Sequence, residues 1–118
     1  MTPEGKVKAQ VRKILNAYKS PLVYYFMPTT GGYGRSGIPD FVGCVYGKFF
    51  AIECKAGKGK TTALQDRELD GIGNAFGIAL VVNQDNVHVV KEMLEAELTA
   101  TKNEALYVQL APPRLLAP

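Results

Sequence analysis

Two apolar segments joined by a tight turn lie between residues 37 and 55, and they predict an antiparallel β-hairpin. Gly47 and Lys48 separate two runs rich in Val, Phe, Tyr and Ile, and a glycine at the first central position suits a two-residue II′ turn. In this register Tyr46 pairs with Phe49. Every second side chain along each strand then lies on the same face of the sheet.

One end of this face carries ionisable side chains. The register predicts that Asp40 lies opposite Lys55 and diagonal to Glu53, with the Cβ atoms of the two acids about 7–8 Å apart. Two carboxylates across such a gap can share one divalent cation. The alternative is an ordinary cross-strand ion pair on a solvated face. The rest of the face argues against this alternative because it is largely apolar, with Cys44 opposite Ala51 and Val42 opposite Glu53.

Composition limits the classes of protein to which the chain can belong. Its 118 residues are 47% hydrophobic and 21% charged, which suits one compact domain and leaves no room for a second. No apolar run approaches the ~20 residues that cross a bilayer, and the first residues lack the pattern of a signal peptide. We therefore expect a soluble, intracellular protein. Its net charge of +3 agrees with a polyanionic partner.

The cysteine and histidine content restricts the metal chemistry. Cys44 and Cys54 point to opposite faces of the predicted hairpin, so both are expected as reduced thiols. With one histidine and no Cys-x-x-Cys spacing, a structural zinc site is excluded. Any metal must then be held by oxygen ligands, which favours Mg²⁺ or Mn²⁺.

The remaining segments predict three helices and two further strands. Thr2 caps a first helix that runs to about Lys19, and the other segments follow in order: a strand at 22–27, a helix from Thr62 to Gly77, a strand at 78–82 and a helix at 87–98. This order indicates an α/β fold in which helices flank a mixed central sheet. The apolar strand at 78–82 is expected at its centre. We assign residues 1–98 to one domain and residues 99–118 to a C-terminal extension.

Two polar side chains occupy positions that helical periodicity turns inward. Glu4 extends the apolar stripe of the first helix, whose solvent face carries Lys6, Lys8, Arg12 and Lys13. An interaction of Glu4 with the helix dipole is an alternative of nearly equal weight. Gln65 shares its inward face with Leu69, Ile72 and Phe76. Because a buried amide needs hydrogen-bond partners, we expect it to contact Glu53, Lys55 or a metal-bound water.

Two loops next to the predicted carboxylates carry residues suited to nucleic acid. Residues 28–37 include four glycines, together with Tyr33, Arg35 and Ser36, which suit a phosphate or an unpaired base. Lys58 and Lys60 follow the second strand of the hairpin and suit phosphate contacts. A plain connection and a solvated loop are the alternatives.

These residues together resemble a nuclease signature. Gly37-Ile38-Pro39-Asp40, then Glu53-Cys54-Lys55, then Gln65 resemble the PD-(D/E)xK superfamily, and in particular its virus-type replication-repair nuclease (VRR-NUC) branch, over about residues 3–95. The resemblance implies a restriction-endonuclease-like core and Mg²⁺-dependent hydrolysis of DNA. Asp40, Glu53 and the Cys54 carbonyl would hold the metal, and Glu4 would bind it through water. Lys55 would orient or deprotonate the attacking water, while Gln65 would fix that water or Glu53.

The resemblance also implies a substrate and an assembly. Stand-alone members resemble Holliday-junction resolvases, so we expect branched DNA as substrate and a homodimer. Apolar residues of the C-terminal extension suit such an interface: Leu106, Tyr107, Val108, Leu110, Leu115 and Leu116. Folding of this extension back onto its own subunit is an equal alternative. A nucleic-acid-binding module or helper subunit without activity is the rival function, but a pure binder gains nothing from two carboxylates facing an anionic ligand.

Overall fold

A four-stranded mixed sheet and three helices make up the fold in the computed structural model, which describes residues 1–18, 22–29 and 35–101. The elements in chain order are α1 (Pro3–Asn16), β1 (Val23–Phe26), β2 (Phe41–Val45), β3 (Lys48–Cys54), α2 (Ala63–Asn74), β4 (Ile78–Val82) and α3 (Val89–Thr101). The strand order is β1-β2-β3-β4, with β4 parallel to β3 and the other pairs antiparallel. The predicted α/β fold and order of elements are confirmed.

The turn of the β2–β3 hairpin differs from the prediction. Its central residues are Tyr46 and Gly47, with φ angles of 47° and 83°, and Val45 pairs with Lys48. Positive φ at both positions defines a type I′ turn, in which glycine is favoured at the second central position. The predicted II′ turn was therefore wrong, and the register shifts by two residues.

A shift of two residues keeps each side chain on its predicted face because the side-chain period of a strand is two. The cross-strand partners change, however. Val42 lies opposite Ala51, and Cys44 lies opposite Phe49. One further step of this register places Asp40 opposite Glu53, where the sequence had placed Lys55.

One face of the sheet forms the hydrophobic core with α1 and α3. Thr2 caps α1, and its hydroxyl accepts a hydrogen bond from the Gly5 N–H at 3.0 Å. The helix ends at Asn16, and Lys19 lies outside the described residues. The predicted apolar stripe of α1 is confirmed, because Val7, Val11 and Leu15 are buried. The buried residues of this core include Val7, Val11 and Leu15 of α1, Phe41, Phe50 and Ile52 of the hairpin, and Val90 and Leu94 of α3.

Within the described part of the chain, the opposite face of the sheet is covered only in part. Helix α2 packs over β3 and β4, and Leu69 is its buried residue. Tyr24, Phe26 and Phe49 remain 69%, 52% and 44% exposed. The registers of β1, β2 and β3 place these three rings on the same face as Asp40 and Glu53. We call these three aromatic residues the open sheet face.

Several helix and strand details correct the predictions. Among the described residues β4 is an edge strand, so its predicted central position was wrong. Its apolar run arises because Val82 joins the core on one side while α2 packs on the other. Helix α2 ends at Asn74, and Phe76, predicted to point inward, is 84% exposed. Helix α3 begins at Val89, two residues later than predicted. No described helix is long and apolar enough to span a membrane.

Candidate active site

Asp40 lies at the start of β2, where the hairpin register brings it against the end of β3. Its Oδ2 accepts a hydrogen bond from the Cys54 N–H at 2.8 Å. This contact holds the carboxylate beside Glu53, and the side chain of Asp40 is 19% exposed. The two acids are therefore direct neighbours across the sheet, closer than the predicted diagonal arrangement.

Glu53 is a buried carboxylate with one free oxygen. The residue is 3% exposed. Its Oε2 accepts a hydrogen bond from Gln65 Nε2 at 2.9 Å and lies 3.3 Å from Lys55 Nζ. Its Oε1 is buried and has no hydrogen-bond partner within the described part of the chain. A buried acceptor without a partner costs about 1–3 kcal/mol, which a bound cation would offset.

Burial and neighbouring charge act together on Glu53. Desolvation raises the pKa of its carboxyl above the ordinary value, and the negative charge of Asp40 raises it further. The positive charge of Lys55 and its hydrogen bond act in the opposite direction but do not cancel the effect. A divalent cation on the two carboxylates would favour their charged forms.

Gln65 reaches Glu53 because of how α2 begins. Thr62 is the N-cap, and its hydroxyl accepts a hydrogen bond from the Gln65 N–H at 3.2 Å. The Gln65 side chain returns the contact, since its Oε1 accepts from the Thr62 N–H at 2.9 Å. With the amide oxygen held in this capping box, the amide nitrogen points at Glu53 Oε2. The predicted contact between Gln65 and Glu53 is present.

Gly37 allows the loop before Asp40 to approach the start of α2. Its φ angle is +82°, and a Cβ atom there would lie 2.5 Å from the Leu64 carbonyl and 2.8 Å from the Gln65 nitrogen. Any larger side chain would push the loop and helix apart. The glycine of the Gly-x-Pro-Asp motif therefore positions Asp40 and Gln65 relative to each other.

Lys8 contacts the site, although helical periodicity predicts that it lies on the solvent face of α1. Its Nζ lies 3.4 Å from Asp40 Oδ1 and 3.7 Å from Glu4 Oε2. Desolvation alone would lower the pKa of Lys8, but the charge of Asp40 and a hydrogen bond to it outweigh this effect and raise the pKa. The missed signal was that Lys8 is one residue from Val7 and four from Glu4, at the border of the buried stripe.

Glu4 faces Lys8, and its side chain is 43% exposed. Lys8 therefore links Glu4 to Asp40 through an ion-pair chain. Glu4 therefore lies near the candidate site, and its water-mediated contact to a metal stays a prediction.

The residues predicted to bind DNA occupy different surroundings. The Arg35 guanidinium faces both carboxylate oxygens of Glu68, with N–O distances of 2.8 Å in each case. Ser36, Lys58 and Lys60 are exposed, and Tyr33 lies outside the described residues. Arg35 is thus paired with α2 in this structure, while the two lysines remain open to solvent. Their contacts with DNA stay a prediction.

The donor set fits a hard cation with few protein ligands. Within the described residues, no group of three or more His, Cys, Asp and Glu side chains is arranged to hold a metal ion. Mg²⁺ usually keeps several waters and binds through one or two carboxylates together with substrate phosphates. Asp40 and Glu53 with its free Oε1 meet that requirement, and the Cys54 peptide lies beside them.

Comparison with known proteins establishes the fold. A solved structure described as a VRR_NUC domain is similar to this chain, with a TM-score of 0.58 and 19% sequence identity. The match covers 85% of this chain and 97% of that chain. No protein-family model and no curated protein matches the sequence. The chain therefore has the fold of a VRR_NUC domain, as its sequence resemblance predicted.

Proposed function

We propose that this chain, which has the VRR_NUC fold, is a Mg²⁺-dependent endonuclease that hydrolyses DNA phosphodiester bonds. The observation that carries the proposal is the buried Glu53 beside the half-buried Asp40, with a Glu53 oxygen that has no partner among the described residues and a lysine 3.3 Å from Glu53. The lysines that pair with these two acids leave Glu53 Oε1 buried and without a partner among the described residues. A function that places a divalent cation at this oxygen accounts for its cost.

Each residue of the site has a role in this proposal. Asp40 and Glu53 would hold Mg²⁺, or Mn²⁺ in its place, and the Cys54 carbonyl would be a further ligand. The cation, when bound, would neutralise charge on the phosphate and lower the pKa of a bound water. Lys55 would orient the attacking water or accept its proton. Gln65 keeps the Glu53 carboxylate in one orientation through its hydrogen bond to Oε2.

Branched DNA and a homodimer extend the proposal. The residues proposed for catalysis form a single cluster within the described part of the chain, so one copy would supply one active site. Two symmetric copies would supply the paired sites that opposing cuts in a four-way junction require. The three aromatic rings of the open sheet face are exposed, which supports association with another macromolecule. The apolar C-terminal extension lies outside the described residues.

A cleavage assay tests the proposed function. Labelled four-way junctions, forks, flaps and duplexes, together with RNA, are incubated with the protein in Mg²⁺ and in a chelator. We expect Mg²⁺-dependent cleavage of DNA that Asp40→Asn abolishes while DNA binding survives, because removing a negative charge does not weaken contacts to phosphate. Asp70→Asn is the matched control, since Asp70 lies on the exposed side of α2.

Two results would count against the proposal. Full activity of Asp40→Asn would remove Asp40 from the metal site. Tight DNA binding without cleavage in either Mg²⁺ or Mn²⁺ would favour the rival function, a nucleic-acid-binding module or helper subunit.

A further inference from the structure

Lys8 occupies a position that the proposed chemistry leaves unused. Asp40 Oδ2 is engaged by the Cys54 N–H, so Oδ1 is the oxygen that Asp40 can offer to a cation. The Lys8 ammonium lies 3.4 Å from that oxygen. The Lys8 ammonium thus lies next to the Asp40 oxygen that a divalent cation would bind.

The two carboxylates of the site are balanced by different lysines. Lys55 lies 3.3 Å from Glu53 Oε2 and leaves Oε1 free, whereas Lys8 takes the available oxygen of Asp40. Two neighbouring acids repel each other strongly when both are charged and partly buried. One ammonium on each relieves that repulsion in the cation-free protein. A divalent cation between the acids would make the ammonium on Asp40 a like charge beside it.

The Lys8 ammonium has a second acidic partner besides Asp40. Glu4 lies one helical turn before it, with Oε2 at 3.7 Å from the ammonium. The Lys8 side chain is 32% exposed, and its four-carbon stem is flexible. A small movement would carry the ammonium from Asp40 to Glu4 and solvent without disturbing α1.

We propose that Lys8 is a displaceable counter-ion of Asp40, which it neutralises in the cation-free protein and releases to Glu4 when a divalent cation binds. The inference rests on the proposed function for the identity of the cation. Lys8 then opposes cation binding, unlike a residue that holds Asp40 in a binding geometry. The two roles predict changes of opposite sign in cation affinity when the lysine charge is removed.

Calorimetric titration with Mn²⁺ alone separates these roles. We expect Lys8→Gln to bind Mn²⁺ about five- to tenfold more tightly than the wild type, because binding no longer breaks an ion pair or brings like charges together. Lys8→Arg keeps the charge and should remain near the wild-type affinity. Lys6→Gln removes the same charge from the exposed side of α1 and should change the affinity less than about twofold.

Thermal denaturation supplies a second readout on the same variants. Without cations, Lys8→Gln should melt below the wild type because Asp40 and Glu53 then repel each other with less compensation. Mn²⁺ should raise its melting temperature by more than it raises that of the wild type. Lys8→Met, a second neutral variant, provides the same comparison if Lys8→Gln does not fold.

The outcomes distinguish the counter-ion from the nuclease. Unchanged or weaker Mn²⁺ binding by both neutral variants overturns the counter-ion role and leaves the proposed nuclease standing. Failure of the wild type and the neutral variants to bind Mn²⁺ overturns both. Tighter Mn²⁺ binding by the neutral variants, in a protein that cleaves no nucleic acid, supports the counter-ion and overturns the proposed function.

Discussion

At the scale of single residues, the site is organised around a charge that its surroundings disfavour. Glu53 is almost fully buried beside another acid, and within the described residues only one of its oxygens has a partner. Lys55 and Gln65 both contact Glu53 Oε2, and the Cys54 N–H donates a hydrogen bond to Asp40 Oδ2. Binding of a cation would therefore change the free energy of the site most at Glu53 Oε1, the oxygen without a partner among the described residues.

The raised pKa of Glu53 predicts how stability depends on pH without cations. The folded state holds the proton more tightly than the unfolded state, so this stabilisation is complete below the ordinary pKa near 4.5 and is lost as pH rises through the folded pKa. We expect Glu53→Gln, which cannot ionise, to gain stability relative to the wild type between pH 4.5 and pH 7. Thermal denaturation of both proteins in a chelator at the two pH values measures this difference in stability. If the stability of Glu53→Gln relative to the wild type stays constant or falls as pH rises, the raised pKa of Glu53 is contradicted.

Lys55 is predicted to act in the chemistry and not in holding the metal. We expect Lys55→Ala to lose turnover while it still binds Mn²⁺, because the carboxylates of Asp40 and Glu53 remain. Calorimetry and single-turnover cleavage together check this expectation. Lys91→Ala is the control, since it removes an exposed lysine from α3, which packs on the other face of the sheet. Loss of Mn²⁺ binding in Lys55→Ala would show that the lysine serves to fold the site.

At the scale of elements, the start of α2 connects helix stability to the active site. The capping box that begins the helix uses the Gln65 amide oxygen, and the same amide donates to Glu53. Gly37 lets the loop before Asp40 pack closely on this turn. The local geometry of a helix end therefore decides the orientation of a buried carboxylate.

Removal of the α2 cap should reduce both stability and catalysis. Thr62→Ala is expected to lower the free energy of unfolding by about 1 kcal/mol, and to slow cleavage because the Gln65 backbone N–H loses the hydroxyl that fixes the first turn of α2, from which the Gln65 side chain reaches Glu53. Thr2→Ala is the matched control, since it removes the cap of α1 without changing the hydrogen bonds of Gln65. Chemical denaturation and single-turnover rates give the two quantities. Equal cleavage rates for the two variants would contradict the coupling.

At the scale of the whole molecule, the two faces of the sheet have different roles. Helices α1 and α3 cover one face and form the core. Helix α2 covers only part of the other, which carries Asp40 and Glu53 beside the open sheet face. Stability is thus concentrated on one side of the sheet, while the candidate site and the exposed aromatic rings share the other.

The proposed resolvase activity requires two copies of the chain. We expect light scattering to give the mass of a dimer, and four-way junctions to be cut in both opposing strands. Truncation after Thr101, where α3 ends, should weaken the dimer if the C-terminal extension forms part of the interface. Asp40→Asn serves as the control, because it should remain dimeric without cutting. A stable monomer that cuts one strand would contradict the resolvase activity but not the metal-dependent nuclease.

Local periodicity in the sequence predicted the order of the elements and the faces of the hairpin side chains and of Gln65, but it misplaced Phe76 and Lys8. Alternation along the hairpin placed Asp40 and Glu53 on one face, and this survived an error in the turn because the register shifted by two residues. The helical period turned Gln65 inward, and the structure shows it bonded to Glu53. Both features follow from the geometry of single strands and helices, which a short stretch of sequence encodes.

Partners that belong to different elements were decided only by the three-dimensional packing. A glycine suits either central position of a tight hairpin turn, so the sequence did not separate the I′ from the II′ register or reveal that Asp40 lies opposite Glu53. The apolar run predicted that both faces of β4 are covered, but Val81 is 44% exposed and β4 lies at an edge of the sheet among the described residues. The pairing of Lys8 with Asp40 joins residues from separate elements, and the position of Lys8 at the border of the buried stripe of α1 does not identify its partner.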